Sequence, residues 1–146
     1  MKDSERIHLS EHFSLYEFTR SGAAIEHDLR NVPDAAQLSN LQALCRNILE
    51  PLRRQFGPIV ISSGFRSREV NRLVGGAPTS QHLRGEAADI VTYGTDDANA
   101  KYSFILRNLD FDQLILEPIG DKHPRWIHVS YTRRHKNRHA TLIANR

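Results

Sequence analysis

The sequence predicts an α+β domain, in which helices pack on one face of a small and mostly antiparallel β-sheet. One observation predicts the helices: apolar residues recur at intervals of three and four in a long segment and again in a later one. A second predicts the sheet, since four short segments rich in apolar residues alternate with these helices or follow them. The chain has 146 residues, which is enough for one domain with a buried core.

Three helices are predicted from periodicity and from their end signals. The longest begins at Pro33-Asp34 and ends at Gly57-Pro58, and we expect Pro51 to bend or interrupt its last part. A short helix capped by Ser67 runs to Leu73, and another from Thr95, its expected cap, runs to Leu109. The longest helix has an apolar face made of Leu38, Leu41, Cys45, Ile48, Leu49, Leu52 and Phe56.

The strands are predicted at residues 59–61, 87–91, 111–117 and 126–131. The last two are separated by a short loop, so we expect them to pair antiparallel. Before the first helix the chain lacks periodicity. We therefore expect an N-terminal arm around Phe13 to Phe18 that packs on the core, followed by a loop up to Val32.

Composition excludes several classes of protein. The chain is 39% hydrophobic and 25% charged, as in ordinary soluble proteins, and no apolar run is long enough to cross a bilayer. Its one cysteine, Cys45, lies among leucines and isoleucines, so we expect a small buried apolar residue rather than a nucleophile. The first residues have no apolar segment typical of a secretory signal. We therefore expect synthesis in the cytoplasm, with delivery by a phage, by lysis or by another route if the target is cell wall.

The positive charge is concentrated at the C-terminal end. Five of the 20 Lys and Arg residues, and none of the 17 Asp and Glu residues, lie at 132–146. We therefore expect one domain at residues 1–131 and a basic tail at residues 132–146. Such a tail is either a solvated terminus or a contact for an anionic polymer.

The most informative motif runs from Ser80 to Asp89, with the sequence Ser-Gln-His-Leu-Arg-Gly-Glu-Ala-Ala-Asp. It places His82 seven residues before Asp89, and a later strand carries His128 between apolar neighbours. Two imidazoles and one carboxylate are a good ligand set for zinc, and they leave a fourth position open for water.

The motif resembles that of the zinc D-alanyl-D-alanine carboxypeptidases, whose wider group includes phage endolysin peptidases and the hedgehog signalling domain. The resemblance extends from about Leu9 to Tyr131 and is closest to short, single-domain members from phages and bacteria. Other segments that carry it are Leu9-Ser-Glu-His-Phe-Ser-Leu-Tyr-Glu-Phe18, Ser62-Ser-Gly-Phe-Arg-Ser67 and Asp112-Gln-Leu-Ile-Leu-Glu117.

The resemblance implies the hedgehog and D-Ala-D-Ala-peptidase type of fold and a Zn²⁺ ion bound by His82, Asp89 and His128. It implies hydrolysis of peptidoglycan stem peptides or cross-links, as a carboxypeptidase or as an endolysin-like endopeptidase. The expected partners are peptidoglycan or D-Ala-containing peptides, with no nucleic acid, and the expected state is a monomer.

A general base is predicted at Glu117. Many relatives carry an acid three residues before the last histidine ligand, but Arg125 occupies that position here. Side chains alternate along a strand, so Glu117 can face the same cleft as His128 if their strands are neighbours. Asp121, in the loop between these strands, is the alternative base.

Three further residues are candidates for substrate binding. Arg66 matches the substrate-binding arginine of the family and can grip a carboxylate or stabilise an oxyanion. Ser80 and Gln81 precede the first ligand and are expected to support it or the substrate by hydrogen bonds.

Other functions remain open at this stage. Because Arg125 replaces the usual acid, the chain can also be a non-catalytic zinc-containing module that binds cell wall. A phage structural module is a further alternative, and so is a cytoplasmic dipeptidase that acts on free D-Ala-D-Ala.

Overall fold

A computed structural model describes residues 6–142 and has the predicted α+β architecture. The helices are α1 (Leu15–Thr19), α2 (Gly22–Glu26), α3 (Ala35–Leu44), α4 (Glu50–Phe56), α5 (Arg68–Leu73) and α6 (Thr95–Asn108). The strands are β1 (Ile61–Ser63), β2 (Ala87–Val91), β3 (Gln113–Glu117), β4 (Trp126–Ser130) and β5 (Ala140–Thr141).

The strands form one sheet in the order β1-β2-β4-β3-β5. Neighbouring strands are antiparallel except β5, which lies parallel to β3 at one edge. The predicted antiparallel pairing of β3 with β4 is confirmed. One face of the sheet packs on the helices through fully buried side chains, among them Ile61, Ala88, Ile90, Leu114, Ile127 and Val129. The opposite face carries Asp89 and His128.

The longest predicted helix forms, with a local change where Pro51 falls. Asp34 caps its first turn by accepting a hydrogen bond from the Gln37 backbone N–H at 2.8 Å. A π-helical turn, Cys45–Leu49, joins α3 to α4, and Pro51 lies in the first turn of α4. The helix therefore continues past Pro51, because a proline in a first turn removes no N–H that the helix needs. Cys45 is fully buried, and burial raises the pKa of its thiol, as expected for an unreactive packing residue.

Several local predictions were wrong. A short helix, α2, forms within the expected loop because Ser21 caps it by accepting from the Ala24 N–H. The first strand begins at Ile61 rather than at residue 59. Thr95 is the first residue of α6 and not its cap. The preceding residue is Gly94, at φ 90°, and it has no side chain with which to cap.

The N-terminal arm is held by a buried carboxylate. Glu50 accepts hydrogen bonds from the Ser10 hydroxyl at 2.6 Å and from the His12 backbone N–H at 2.7 Å. Leu9 and Phe13, on either side of these contacts, are buried in the core. The arm therefore packs on the domain, as predicted.

The segment after Tyr131 packs on the sheet as far as the structure describes it. Thr132 and Asn137 are buried, and Ala140–Thr141 forms β5. The expected boundary at Tyr131 therefore does not coincide with the end of the packed structure. Residues 143–146 of the predicted tail, and residues 1–5 of the segment in which no secretory signal was expected, lie outside the described residues. Between residues 6 and 142, no helix is both long and apolar enough to span a membrane.

Candidate metal centre and active site

The three predicted ligands meet at one point on the sheet face that carries Asp89 and His128. The candidate ligand atoms of His82, Asp89 and His128 all lie within 4.8 Å of one another. Asp89 Oδ1 is 3.4 Å from His82 Nε2 and 3.1 Å from His128 Nδ1. These distances suit atoms that share one small cation, so the residues present fit a zinc ion.

Strand pairing and one tight turn bring these residues together. Asp89 on β2 lies directly opposite His128 on β4, so their side chains leave the sheet on the same face. His82 comes from a 3₁₀ turn, Gln81–Arg84, which Gly85 ends in the left-handed region at φ 74°. A Cβ atom at Gly85 would lie 2.5 Å from the Gln37 carbonyl oxygen, so the turn packs directly against α3.

A hydrogen bond fixes which nitrogen of His82 can bind a metal. His82 Nδ1 lies 2.6 Å from the Gly64 carbonyl oxygen. Because a carbonyl oxygen only accepts, Nδ1 carries the proton and Nε2 keeps its lone pair facing Asp89. The His82 side chain is 4% exposed, which holds the ring rigidly in this orientation.

Asp89 is held in its charged form. Burial disfavours the carboxylate, but contacts with His128 and His82 outweigh burial and hold the pKa of Asp89 well below its usual range. Its second oxygen, Oδ2, is 3.7 Å from the Arg66 guanidinium. The carboxylate therefore presents one oxygen to the two imidazoles and the other to a fixed cation.

Comparison with known families agrees with this geometry. A sequence model of the family described as peptidase M15 matches residues 11–130, which is most of the chain. No curated protein matches the sequence.

The chain belongs to the peptidase M15 family.

This M15 peptidase is therefore a zinc metallopeptidase, and its His-Asp-His group can hold the metal. The predicted family, enzyme class and cofactor are confirmed.

Glu117 lies at the end of β3, close to the ligands. In the pairing of β3 with β4, Ile115 lies opposite His128 and Glu117 lies opposite Trp126. Glu117 therefore lies on the same face of the sheet as His128, two residues beyond Ile115 on β3. The Glu117 side chain is half-buried and has no hydrogen bond or ion pair with any residue from 6 to 142. Its carboxylate is therefore free to bind water or substrate.

The alternatives to Glu117 are placed less favourably. Asp121 is exposed, and one of its oxygens accepts a hydrogen bond from the His123 backbone N–H at 2.8 Å. Arg125 is exposed, and its guanidinium carbon lies 5.8 Å from the centre of the Trp126 ring. Asp121 therefore already has one engaged oxygen, and Arg125 has no carboxylate, so neither residue replaces Glu117 as the proposed base.

Arg66 stands beside the metal group of this M15 peptidase. Its Nε lies 3.3 Å from Ser63 Oγ and one terminal nitrogen 3.3 Å from Asn71 Oδ1. Its backbone N–H donates to the His82 carbonyl at 3.1 Å, which joins the two loops. Burial lowers the pKa of Arg66 and the Asp89 charge raises it, while an arginine stays protonated in either case.

Ser80 and Gln81 point to different places. Ser80 Oγ accepts a hydrogen bond from the His82 backbone N–H at 3.2 Å, so Ser80 supports the ligand turn. The Gln81 side chain is buried and donates to Glu86 at 3.2 Å and to Asp112 at 3.0 Å. The Gln81 side chain therefore points into the interior of the domain and not towards the three candidate metal ligands.

Sequence reasoning missed the partners of these two buried carboxylates. The Arg134 guanidinium makes two hydrogen bonds to Glu86, at 3.0 and 2.9 Å. The Arg138 guanidinium grips Asp112 in the same way, at 2.9 and 2.7 Å. Both arginines lie in the segment that was expected to be a tail. The sequence places each of these acids directly before a strand, where it can become buried. A buried carboxylate needs a cation, so this position could have indicated an arginine partner.

Proposed function

We propose that this protein hydrolyses peptide bonds in peptidoglycan stem peptides or cross-links, with zinc held by His82, Asp89 and His128. The observation that carries this proposal is the meeting of these three ligands beside an unengaged Glu117 carboxylate and the Arg66 guanidinium. Family membership supports peptide hydrolysis, and the resemblance to D-Ala-D-Ala peptidases supports peptidoglycan as its substrate. A carboxypeptidase and an endopeptidase are both compatible with this set of residues.

When bound, a zinc ion lowers the pKa of water and polarises a carbonyl group. With three protein ligands, a zinc ion here would keep a fourth coordination position for water or substrate. His82 keeps its ligand nitrogen available through its bond to the Gly64 carbonyl. Asp89 stays ionised across the physiological range.

Glu117 is the proposed general base. Its carboxylate removes a proton from the attacking water while the water oxygen bonds to the scissile carbonyl carbon. It then delivers this proton to the nitrogen of the breaking C–N bond, so the products are a free acid and a free amine. A half-buried carboxylate with no competing partner suits this proton transfer, because it need not break an existing hydrogen bond first.

Arg66 is the proposed electrostatic partner of the reaction. Its guanidinium is held by Ser63 and Asn71 and faces Asp89, so it forms a fixed positive charge beside the ligands. A fixed cation stabilises the negative charge that develops on the carbonyl oxygen without reorganising during the reaction. Ser80 supports this arrangement by holding the His82 turn.

The test is the Glu117→Gln variant assayed on purified sacculi and on a D-Ala-D-Ala-terminated stem pentapeptide. We expect kcat to fall by at least about 100-fold, which is the usual contribution of a general base, with zinc content unchanged at one per chain. His82→Ala is the matched control and should lose both zinc and activity. Full activity in Glu117→Gln would show that Glu117 is not the general base. The assignment of the zinc ligands would not be affected by that result.

A second candidate is a zinc-containing module that binds cell wall without cleaving it. The observation that favours it is Arg125, which lies over the Trp126 ring at the position where many relatives carry the acid. Under this alternative, the wild-type protein carries zinc and binds sacculi but releases no new amino groups from them. Release of new amino groups that is lost in Glu117→Gln would exclude it.

A further inference from the structure

A cleft lined by arginines lies beside the metal group. It has a volume of about 760 Å³ and is bounded by α3, α5 and the 3₁₀ turn that carries His82. Its cationic lining residues are Arg66, Arg68, Arg72 and Arg84, and we call it the arginine cleft. The family match assigns no role to any of these residues. Arg66 alone among the four was expected from the sequence to bind substrate.

The arginine cleft carries positive charge that the described residues do not neutralise. Arg68, Arg72 and Arg84 are exposed, and their side chains make no hydrogen bond or ion pair with any residue from 6 to 142. Asp34 is the one acidic residue of the described part that lines the cleft, and its carboxylate is engaged in capping α3. Uncompensated guanidinium groups around one concave surface favour an anionic ligand.

The arginine cleft shares two residues with the surroundings of the candidate zinc ligands. Arg66 lines the cleft and also faces Asp89 across 3.7 Å. Ser80 lines it too, and its hydroxyl supports the backbone of His82. A ligand that contacts Arg66 in the cleft is therefore one side chain away from Asp89.

We propose that the arginine cleft binds the carboxylate groups of an acidic peptide substrate, next to the bond that is cut. This inference rests on the proposed function and names the substrate class of the same site. Guanidinium groups bind carboxylates with two parallel hydrogen bonds, so several of them can select an acidic peptide over a neutral one of the same shape. Peptidoglycan stem peptides fit this chemistry when the α-carboxylate of their glutamate is free, and fit it poorly when that group is amidated.

The experiment compares two synthetic stem pentapeptides that differ only in a free or amidated glutamate α-carboxylate. For the wild-type protein we expect a lower KM for the free acid, with kcat nearly equal for both peptides. In the variant Arg68→Gln/Arg72→Gln/Arg84→Gln, we expect KM for the acidic peptide to rise about 10-fold, the product of about twofold from each of three exposed ion pairs. The preference for the acidic peptide should also weaken as salt is added.

A matched control removes the same charge elsewhere. Arg46, Arg54 and Arg107 are exposed on helices outside the arginine cleft. The variant Arg46→Gln/Arg54→Gln/Arg107→Gln should keep the KM of the wild type within about twofold, since long-range attraction between exposed charges is screened. An equal rise in KM in both triple variants would overturn the inference and point to net charge alone.

Binding separates this inference from the proposed function. Fluorescence polarisation with the labelled acidic pentapeptide, on the Glu117→Gln protein with and without the three arginine-cleft substitutions, needs no turnover. If the wild type cleaves neither peptide, but the acidic one binds more weakly once the arginines are removed, the cleft assignment stands and the proposed reaction falls. If both peptides are cleaved with the same KM, the reaction stands and the cleft assignment falls.

Discussion

Replacing Arg138 by alanine should destabilise the domain although Arg138 is not a predicted metal ligand. Asp112 is fully buried, and Arg138 binds both of its oxygens at 2.9 and 2.7 Å. Removing one partner of a fully buried ion pair costs about 3–5 kcal/mol, because the other charge is left without compensation. The Arg138 side chain is 54% exposed, so water can replace part of the contact. We therefore expect a loss of about 2 kcal/mol.

Urea denaturation followed by circular dichroism measures this loss. With an m-value of about 2 kcal/mol/M, the midpoint should fall by about 1 M. The matched control is Arg133→Ala, which removes an arginine of the same segment whose guanidinium donates hydrogen bonds to the neutral side chains of Ser39 and Asn40, at 2.8 and 2.9 Å. The control should shift the midpoint by less than about 0.3 M. Equal shifts in the two variants would refute the role assigned to the buried carboxylate.

Two further predictions concern the same part of the molecule. Hydrogen bonds from Arg134 and Arg138 outweigh burial and lower the pKa of Glu86 and Asp112, so these acids stabilise the fold fully above about pH 4.5. The urea midpoint should therefore fall as the pH drops below that value and through the folded-state pKa values, and Arg138→Ala should flatten this dependence. Gly85→Ala should cost about 2–4 kcal/mol, because an alanine at φ 74° is strained and its Cβ would lie 2.5 Å from a backbone carbonyl oxygen of α3. Gly75→Ala, at φ 76° with nothing within 4 Å of the added Cβ, should cost only the strain of about 1 kcal/mol, and equal costs for both substitutions would exclude the steric argument.

The three metal ligands could be predicted from the sequence because a family resemblance implies them. His82 and Asp89 lie within one motif, and the alternation of side chains along β4 places His128 on a defined face of its strand. The contact of His128 with Asp89 depends on the pairing of β2 with β4 across 39 positions of chain, which the spacing of residues within one segment does not predict. The α+β class, by contrast, could be predicted from periodicity within single segments.

The contacts of Gln81 and of the C-terminal arginines could not be predicted in this way. Gln81 bonds to Asp112 across 31 positions, and Arg134 bonds to Glu86 across 48. A polar residue beside a ligand is equally compatible with facing the substrate or the interior, and only the packed fold decides between them. The π-helical turn before Pro51 could not be predicted either. The spacing of apolar residues does not show that one helical turn widens before a proline.

The short strand β5 also protects one edge of the sheet. It pairs with the first two residues of β3, Gln113 with Ala140 and Leu114 with Thr141, so the start of β3 is not left as an open edge. The opposite edge, β1, has three residues and an irregular register, which makes it a poor template for another strand. The intact sheet therefore resists edge-to-edge aggregation. A chain that stopped at Ser130, where the family match ends, would expose the β3 edge and invite self-association.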